Sequence, residues 1–141
     1  MSSTQWFMVP VFLQMLLIGL VGVATALARV KAVKAGETRL KDIALNNAAW
    51  SGAAQKLGNN FNNQFQLPVV YFAFAGLALA LNAIDSVLIA LGFAFLALRM
   101  VHTYIHTGKN EVVPRFKVFL ATFGVLFLMW LWLAIHVFLK G

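Results

Sequence analysis

The sequence predicts an all-α integral membrane protein, a bundle of four transmembrane helices that forms a single domain over residues 1–141. Of the 141 residues, 62% are hydrophobic and only 11% are charged, and the mean hydropathy is +0.84. The apolar residues form four long runs, separated by short polar segments. A soluble core of this size would be surrounded by far more charge, so a membrane-embedded fold is the interpretation that fits.

Local sequence signals delimit the four helices. The four spans are predicted at residues 7–28, 67–84, 86–107 and 114–139. A long loop at 29–66, predicted to be cytoplasmic, connects the first two spans. Asp85 or Ser86 suits the N-cap of the third helix, and Gly108 is a stop signal at its end. Pro114 suits the first turn of the fourth helix, where no backbone donor is needed.

The distribution of basic residues predicts the orientation in the membrane. Ten of the eleven Lys and Arg residues fall in residues 29–56 or 99–117, and Lys140 is the exception. Four spans place both basic segments on one side, which the positive-inside rule makes cytoplasmic, so both termini face the non-cytoplasmic side. The same clustering excludes nucleic acid as the reason for the net charge of +7. The chain has no cysteine, so any thiol chemistry requires a substrate that supplies the sulfur.

The segment 99–115 places titratable and cationic groups on one face of an otherwise apolar helix. At 100° per residue, Arg99, His102 and His106 fall within about 60° of one another. Histidines four residues apart can bind zinc, but no carboxylate or thiolate lies between these two, and we predict no metal site. No serine lies near this face, so a Ser-His hydrolase arrangement is absent.

A second unusual segment is rich in amides and lies directly before the second span. Asn60 and Gln64 share one helical face, while Asn63 and Gln66 share another. Amides at this depth must hydrogen-bond one another, a neighbouring helix, water or a ligand. An interfacial helix that contacts its neighbours is the simplest of these interpretations.

The remaining chemistry is the binding of an anion. Four basic residues converge on the cytoplasmic boundary: Arg29, Arg99, Arg115 and Lys117. Arginine binds carboxylates bidentately, and a guanidinium near a thiol favours the thiolate. The alternative is that these side chains contact lipid phosphates, as juxtamembrane arginines commonly do.

The motif R-M-V-H-T-Y-I-H-T-G-K at 99–109, followed by P-R at 114–115, resembles the MAPEG family, the membrane-associated proteins of eicosanoid and glutathione metabolism. The N-x-x-N-Q-F-Q-L-P segment at 60–68 is similar to the start of the second helix in that family. The pattern is closest to that of the microsomal prostaglandin E synthases and glutathione transferases, and the likeness, to a member of bacterial type, covers essentially the whole chain.

The resemblance implies a homotrimer that binds glutathione between neighbouring subunits on the cytoplasmic side and acts on a lipophilic substrate that arrives from the bilayer. It implies that Arg115, at the start of the fourth helix, stabilises the glutathione thiolate. It also implies that glutathione is held by Arg29, Asn60, Asn63, Gln64, Gln66, Arg99, His102, Thr103 and His106. The membrane would be the inner membrane of a bacterium.

Two departures from the family pattern leave a second interpretation open. The second helix of the family usually offers arginine and glutamate, whereas the amides here are neutral and hold a zwitterionic tripeptide more weakly. Phe116 stands where the prostaglandin synthases have serine, which disfavours prostaglandin isomerase chemistry. The two hypotheses are therefore a glutathione-dependent transferase or peroxidase for lipophilic electrophiles, and a non-catalytic protein of the same fold that binds anionic lipid or another ligand.

Overall fold

The structure is a computed structural model in which residues 1–139 are described, so Lys140 lies outside the described residues. Its helices are α1 Ser3–Lys34, α2 Leu40–Ile43, a 3₁₀ helix at Asn47–Ala49, α3 Gly52–Asn63, α4 Leu67–Ala80, α5 Ser86–Thr107 and α6 Val112–Leu139. Four segments are long and apolar enough to cross a membrane: Ser3–Lys34, Gly52–Ala80, Ser86–Thr107 and Val112–Leu139. The prediction of four membrane-spanning helices is confirmed.

The ends of α5 follow the predicted signals. Asp85 is the N-cap, and its side chain accepts a hydrogen bond of 3.0 Å from the backbone N–H of Leu88. Gly108 follows the last residue of the helix. Asp85 also accepts a hydrogen bond of 2.8 Å from Nε1 of Trp132, which joins the α4–α5 turn to α6. This end of the bundle is therefore closed by side-chain hydrogen bonds.

Residues 29–66 are not one long loop, contrary to the prediction. The first helix begins at Ser3 and continues to Lys34, and the amide-rich segment forms α3, which packs against α1 and α5. Only a short break separates α3 from α4. Pro68 explains the break, because it has no N–H and its ring clashes with the carbonyl four residues earlier. Together α3 and α4 form the second segment that is long and apolar enough to cross a membrane. The sequence predicted that this span begins only at residue 67, because α3 is polar.

The core lies where α1, α4, α5 and α6 meet. Tyr71 and Phe95 are fully buried and stack with ring centroids 4.3 Å apart. Gly92 allows this contact, since a Cβ there would lie 3.1 Å from Cγ of Pro10 and 3.2 Å from the Tyr71 hydroxyl. The outward faces of the helices are apolar and exposed, as at Leu20 of α1, which is the arrangement that a surrounding bilayer requires.

Candidate functional site

Arg115 lies in the wall of a pocket at the charged end of the bundle. The pocket has a volume of about 280 Å³ and is lined by Asn63, Gln66, His102, Val112, Arg115, Phe116 and Phe119. It lies where the first two turns of α6 face α5 and the break between α3 and α4. We call it the Arg115 pocket.

Arg115 is held in place by a neutral partner. Its Nη1 donates to Oδ1 of Asn110, which lies in the α5–α6 turn with a positive φ of 56°. Asn110 tolerates this left-handed conformation better than most residues, since its side chain can hydrogen-bond locally. Within residues 1–139, Arg39 and Asp42 form the only ion pair. The guanidinium of Arg115 therefore faces the pocket without a carboxylate to neutralise it.

Arg99, predicted to hold the ligand, lies behind the Arg115 pocket instead of in its wall. The side chain is fully buried, and its Nη2 donates a hydrogen bond of 3.2 Å to the backbone carbonyl of Asn63. Its Nε and Nη1 have no hydrogen-bond partner. The contact to the pocket is therefore indirect, through Asn63.

Asn60 and Gln64 are also buried, behind the wall of the Arg115 pocket. Nε2 of Gln64 donates to Oδ1 of Asn60 at 2.9 Å and to the hydroxyl of Thr103 at 3.0 Å. Nδ2 of Asn60 donates to the carbonyl of Thr103 at 3.4 Å. Gln14 of α1 completes the group by donating to Oε1 of Gln64 at 3.2 Å. These amides join α1, α3 and α5, and they position the pocket wall without forming it.

The two histidines of α5 have different positions. His102 reaches the pocket, whereas His106 packs behind it with the two rings edge to face at a centroid distance of 5.6 Å. Nδ1 of each ring is buried without a hydrogen-bond partner. No group of three or more potential metal ligands is present among residues 1–139.

Arg29 lies in a different pocket, on another side of α3. Its guanidinium stacks over the ring of Trp50 at 4.9 Å from the centroid. Gly58 leaves room for it, because a Cβ at that position would lie 3.2 Å from Nη2 of Arg29. This second pocket has a volume of about 170 Å³ and shares no lining residue with the Arg115 pocket. Within one chain, Arg29 and Arg115 therefore lie in separate pockets.

An apolar groove lies between α4 and α6, about one helical turn beyond the Arg115 pocket along α6, and shares no lining residue with that pocket. Its first section, of about 200 Å³, is lined by Leu67, Val70, Phe74, Phe123, Leu126, Phe127 and Trp130. The next section, of about 180 Å³, shares Phe74 and Trp130 with the first and reaches Val137. Between Arg115 and Val137, α6 rises about 33 Å at 1.5 Å per residue, which is close to the hydrocarbon thickness of a bilayer of about 30 Å. Together, the Arg115 pocket and the two groove sections extend along nearly all of α6.

The structure brings only part of the predicted site together. Four predicted residues line the Arg115 pocket: Asn63, Gln66, His102 and Arg115. Six do not: Arg29, Asn60, Gln64, Arg99, Thr103 and His106. Sequence reasoning missed Asn110 as the partner of Arg115 and Gln14 as the partner of Gln64. An isolated glutamine in an apolar helix was a signal that such a partner exists, but it did not identify which one.

The fold and the pocket define a class, a multi-pass integral membrane protein with a cationic site at one end of a four-helix bundle. The model of the MAPEG family matches residues 4–135. The chain therefore belongs to the MAPEG family, whose members include glutathione-dependent transferases and peroxidases. No curated protein and no solved structure matches the chain significantly.

Proposed function

We propose that this protein is a glutathione-dependent transferase or peroxidase that acts on lipophilic electrophiles. Arg115 carries the proposal, because it presents a cation without an internal counter-ion to a pocket that lies beside an apolar groove. A thiolate or carboxylate of glutathione supplies the missing anion. The groove accommodates the hydrocarbon part of the second substrate.

The proposed chemistry uses the thiolate form of glutathione, which the nearby guanidinium of Arg115 favours over the thiol. In conjugation, the sulfur forms a bond to an electrophilic carbon while the leaving group departs, and the thiol proton goes to solvent. In peroxide reduction, two glutathione molecules are oxidised to the disulfide, and the O–O bond is cleaved to give an alcohol and water. Arg115 holds the thiolate in either reaction, and the groove places the electrophile beside it.

The separation of Arg29 from the Arg115 pocket within one chain supports a site that a neighbouring copy completes. By family resemblance, we propose a homotrimer in which Arg29 of one copy reaches the Arg115 pocket of the next. Arg29 and Trp50 are half-buried and line a pocket of their own, which leaves part of this surface open to a neighbour. The charge distribution leads us to place both pockets on the cytoplasmic side of the membrane. We take this membrane to be the inner membrane of a bacterium.

A second candidate function is a non-catalytic one, the binding of anionic lipid or another ligand at the basic end. One observation favours it. Asn60 and Gln64 use their amide groups on each other and on Thr103 instead of presenting them to a ligand. The Arg115 pocket also lacks a carboxylate to pair with the ammonium group of glutathione.

Calorimetric titration of glutathione into the detergent-solubilised protein tests the first proposal. We expect millimolar or tighter binding, and Arg115→Ala should weaken it about tenfold, which corresponds to about 1.4 kcal/mol. Lys41→Ala, at an exposed lysine of α2, is the matched control and should bind as the wild type does. If glutathione does not bind at millimolar concentration, the transferase proposal is wrong and the second candidate leads. Binding that Arg115→Ala leaves unchanged would remove Arg115 as the thiolate partner.

A further inference from the structure

A third pocket lies at the α5–α6 turn and shares no lining residue with the Arg115 pocket. It has a volume of about 410 Å³ and is lined by Tyr104, Ile105, Gly108, Lys109, Glu111 and Pro114. We propose that this pocket binds the headgroup of a zwitterionic phospholipid of the surrounding membrane. The proposal does not depend on glutathione binding.

The pocket carries one positive and one negative group that do not pair with each other. No ion pair joins Lys109 and Glu111, since Arg39–Asp42 is the only one within residues 1–139. Among the described residues, Glu111 is also the one acidic side chain without a side-chain contact. The others are engaged: Asp42 with Arg39, Asp85 with Leu88 and Trp132, and Glu37 with Ser51. Two separated opposite charges across a concave surface complement a headgroup that carries both a phosphate and an ammonium.

The aromatic ring of Tyr104 adds a contact for the ammonium group. Its side chain is 80% exposed at the charged end of α5, where tyrosine commonly lies at headgroup depth. A quaternary or primary ammonium is attracted to the face of such a ring. One helical turn toward the membrane interior, Met100 and Val101 are exposed on the same helix and offer apolar surface to acyl chains. Lys109 then faces the phosphate, while Glu111 and Tyr104 contact the ammonium.

Hydrogen bonds hold the turn in a fixed shape, so the pocket is formed before any lipid binds. The N–H of Gly108 donates to the carbonyl of Tyr104 at 3.0 Å, and the N–H of Asn110 donates to that of Ile105 at 2.8 Å. The carbonyl of Gly108 accepts from Nζ of Lys56 at 3.0 Å, and Arg115 donates to the side chain of Asn110. A preformed site loses less conformational entropy on binding than a mobile loop does.

Native mass spectrometry of the detergent-purified protein tests the proposal with phosphatidylethanolamine, phosphatidylcholine and phosphatidylglycerol of identical chains. The first lipid bound should be zwitterionic in preference to phosphatidylglycerol, despite the net charge of +7. Glu111→Gln should weaken both zwitterionic lipids about three- to tenfold and leave phosphatidylglycerol unchanged or tighter. Lys109→Gln should weaken all three lipids, and Tyr104→Leu should weaken the two zwitterionic lipids.

The matched controls are Glu37→Gln and Lys41→Gln, which remove the same charges outside the pocket and should not change the headgroup preference. A wild type that prefers phosphatidylglycerol, with no response to Glu111→Gln, would show that the basic end binds lipid only as a charged surface. Failure to retain any of the three lipids would equally overturn the proposal. Gel filtration of each variant establishes that it is folded before it is compared.

Discussion

Arg99 and Arg115 carry the same charge in very different surroundings. Arg115 lies at the pocket surface with a neutral hydrogen-bond partner, whereas Arg99 is fully buried with two of its nitrogens unpartnered. A buried cation without full hydrogen bonding is expensive, because desolvation is not repaid. Strained or costly groups are often retained at functional sites, and we propose that Arg99 serves the Arg115 pocket by holding the carbonyl of Asn63 in its wall.

Replacing Arg99 by methionine should therefore separate stability from function. Arg99→Met keeps much of the side-chain length, removes the buried charge, and should raise the free energy of unfolding by roughly 1 kcal/mol. It should also weaken glutathione binding several-fold, because Asn63 loses the donor that holds its carbonyl. Thermal unfolding in detergent and calorimetry measure the two effects. A lower unfolding midpoint with unchanged binding would instead make Arg99 a purely structural anchor.

Residue-scale reasoning from the sequence predicted local features well and contacts between helices poorly. Asp85 and Gly108 were correctly assigned because capping depends on a few neighbouring residues. The angular spacing of Arg99 along α5 showed that it shares a face with His102, but it did not show that α3 covers it. The hydrogen bond between Gln14 and Gln64 joins residues fifty positions apart, and no local pattern encodes such a pairing.

At the scale of elements, α4 and α6 together form an apolar groove that begins about one helical turn beyond the Arg115 pocket. The residues that line the groove recur at helical spacing on both helices. Along α6, the partly polar lining of the Arg115 pocket is followed within about one turn by the apolar lining of the groove. Asn63, which lines the Arg115 pocket, is the last residue of α3. A loop at 29–66, as predicted, would not have fixed the position of this residue. The sequence suggested an interfacial helix for the amide-rich segment without giving its bounds, and the packing of α3 against α1 and α5 explains the stability of this polar helix.

The groove should discriminate between substrates by chain length. Val70 lines its first section, so Val70→Trp should fill that section and raise KM for long-chain electrophiles about tenfold. A short, water-soluble electrophile should react with the same kcat/KM as before. Val69→Trp is the matched control, since Val69 is exposed on another face of α4 and lines none of the pockets described above. Equal losses for short and long substrates would show that the groove does not hold the chain.

At the scale of the whole molecule, the cationic side chains of Arg29 and Arg115 lie in two separate pockets of one copy. Arg29 stacks on Trp50 in one pocket and Arg115 faces another, with no lining residue in common. A closed ring of identical subunits resolves this separation, because each heterologous contact brings one patch of a copy against a different patch of its neighbour. The trimer stays a prediction from family resemblance, and the side of the membrane on which the termini lie stays a prediction from the distribution of basic residues.

Mixed assemblies test whether two copies build one site. Arg29→Ala and Arg115→Ala, expressed alone, should each weaken glutathione binding about tenfold, so that each binds little glutathione at the concentration that half-saturates the wild type. In trimers assembled at random from equal amounts of both, one site in four pairs an intact Arg115 with an intact Arg29 of the neighbour, so about a quarter of the wild-type sites should return. Co-expression of two differently tagged Arg115→Ala copies is the baseline and should restore none. If Arg29→Ala alone binds glutathione as the wild type does, and the mixed trimers keep about half of the sites, the whole site lies within one subunit and Arg29 serves only the pocket that it shares with Trp50.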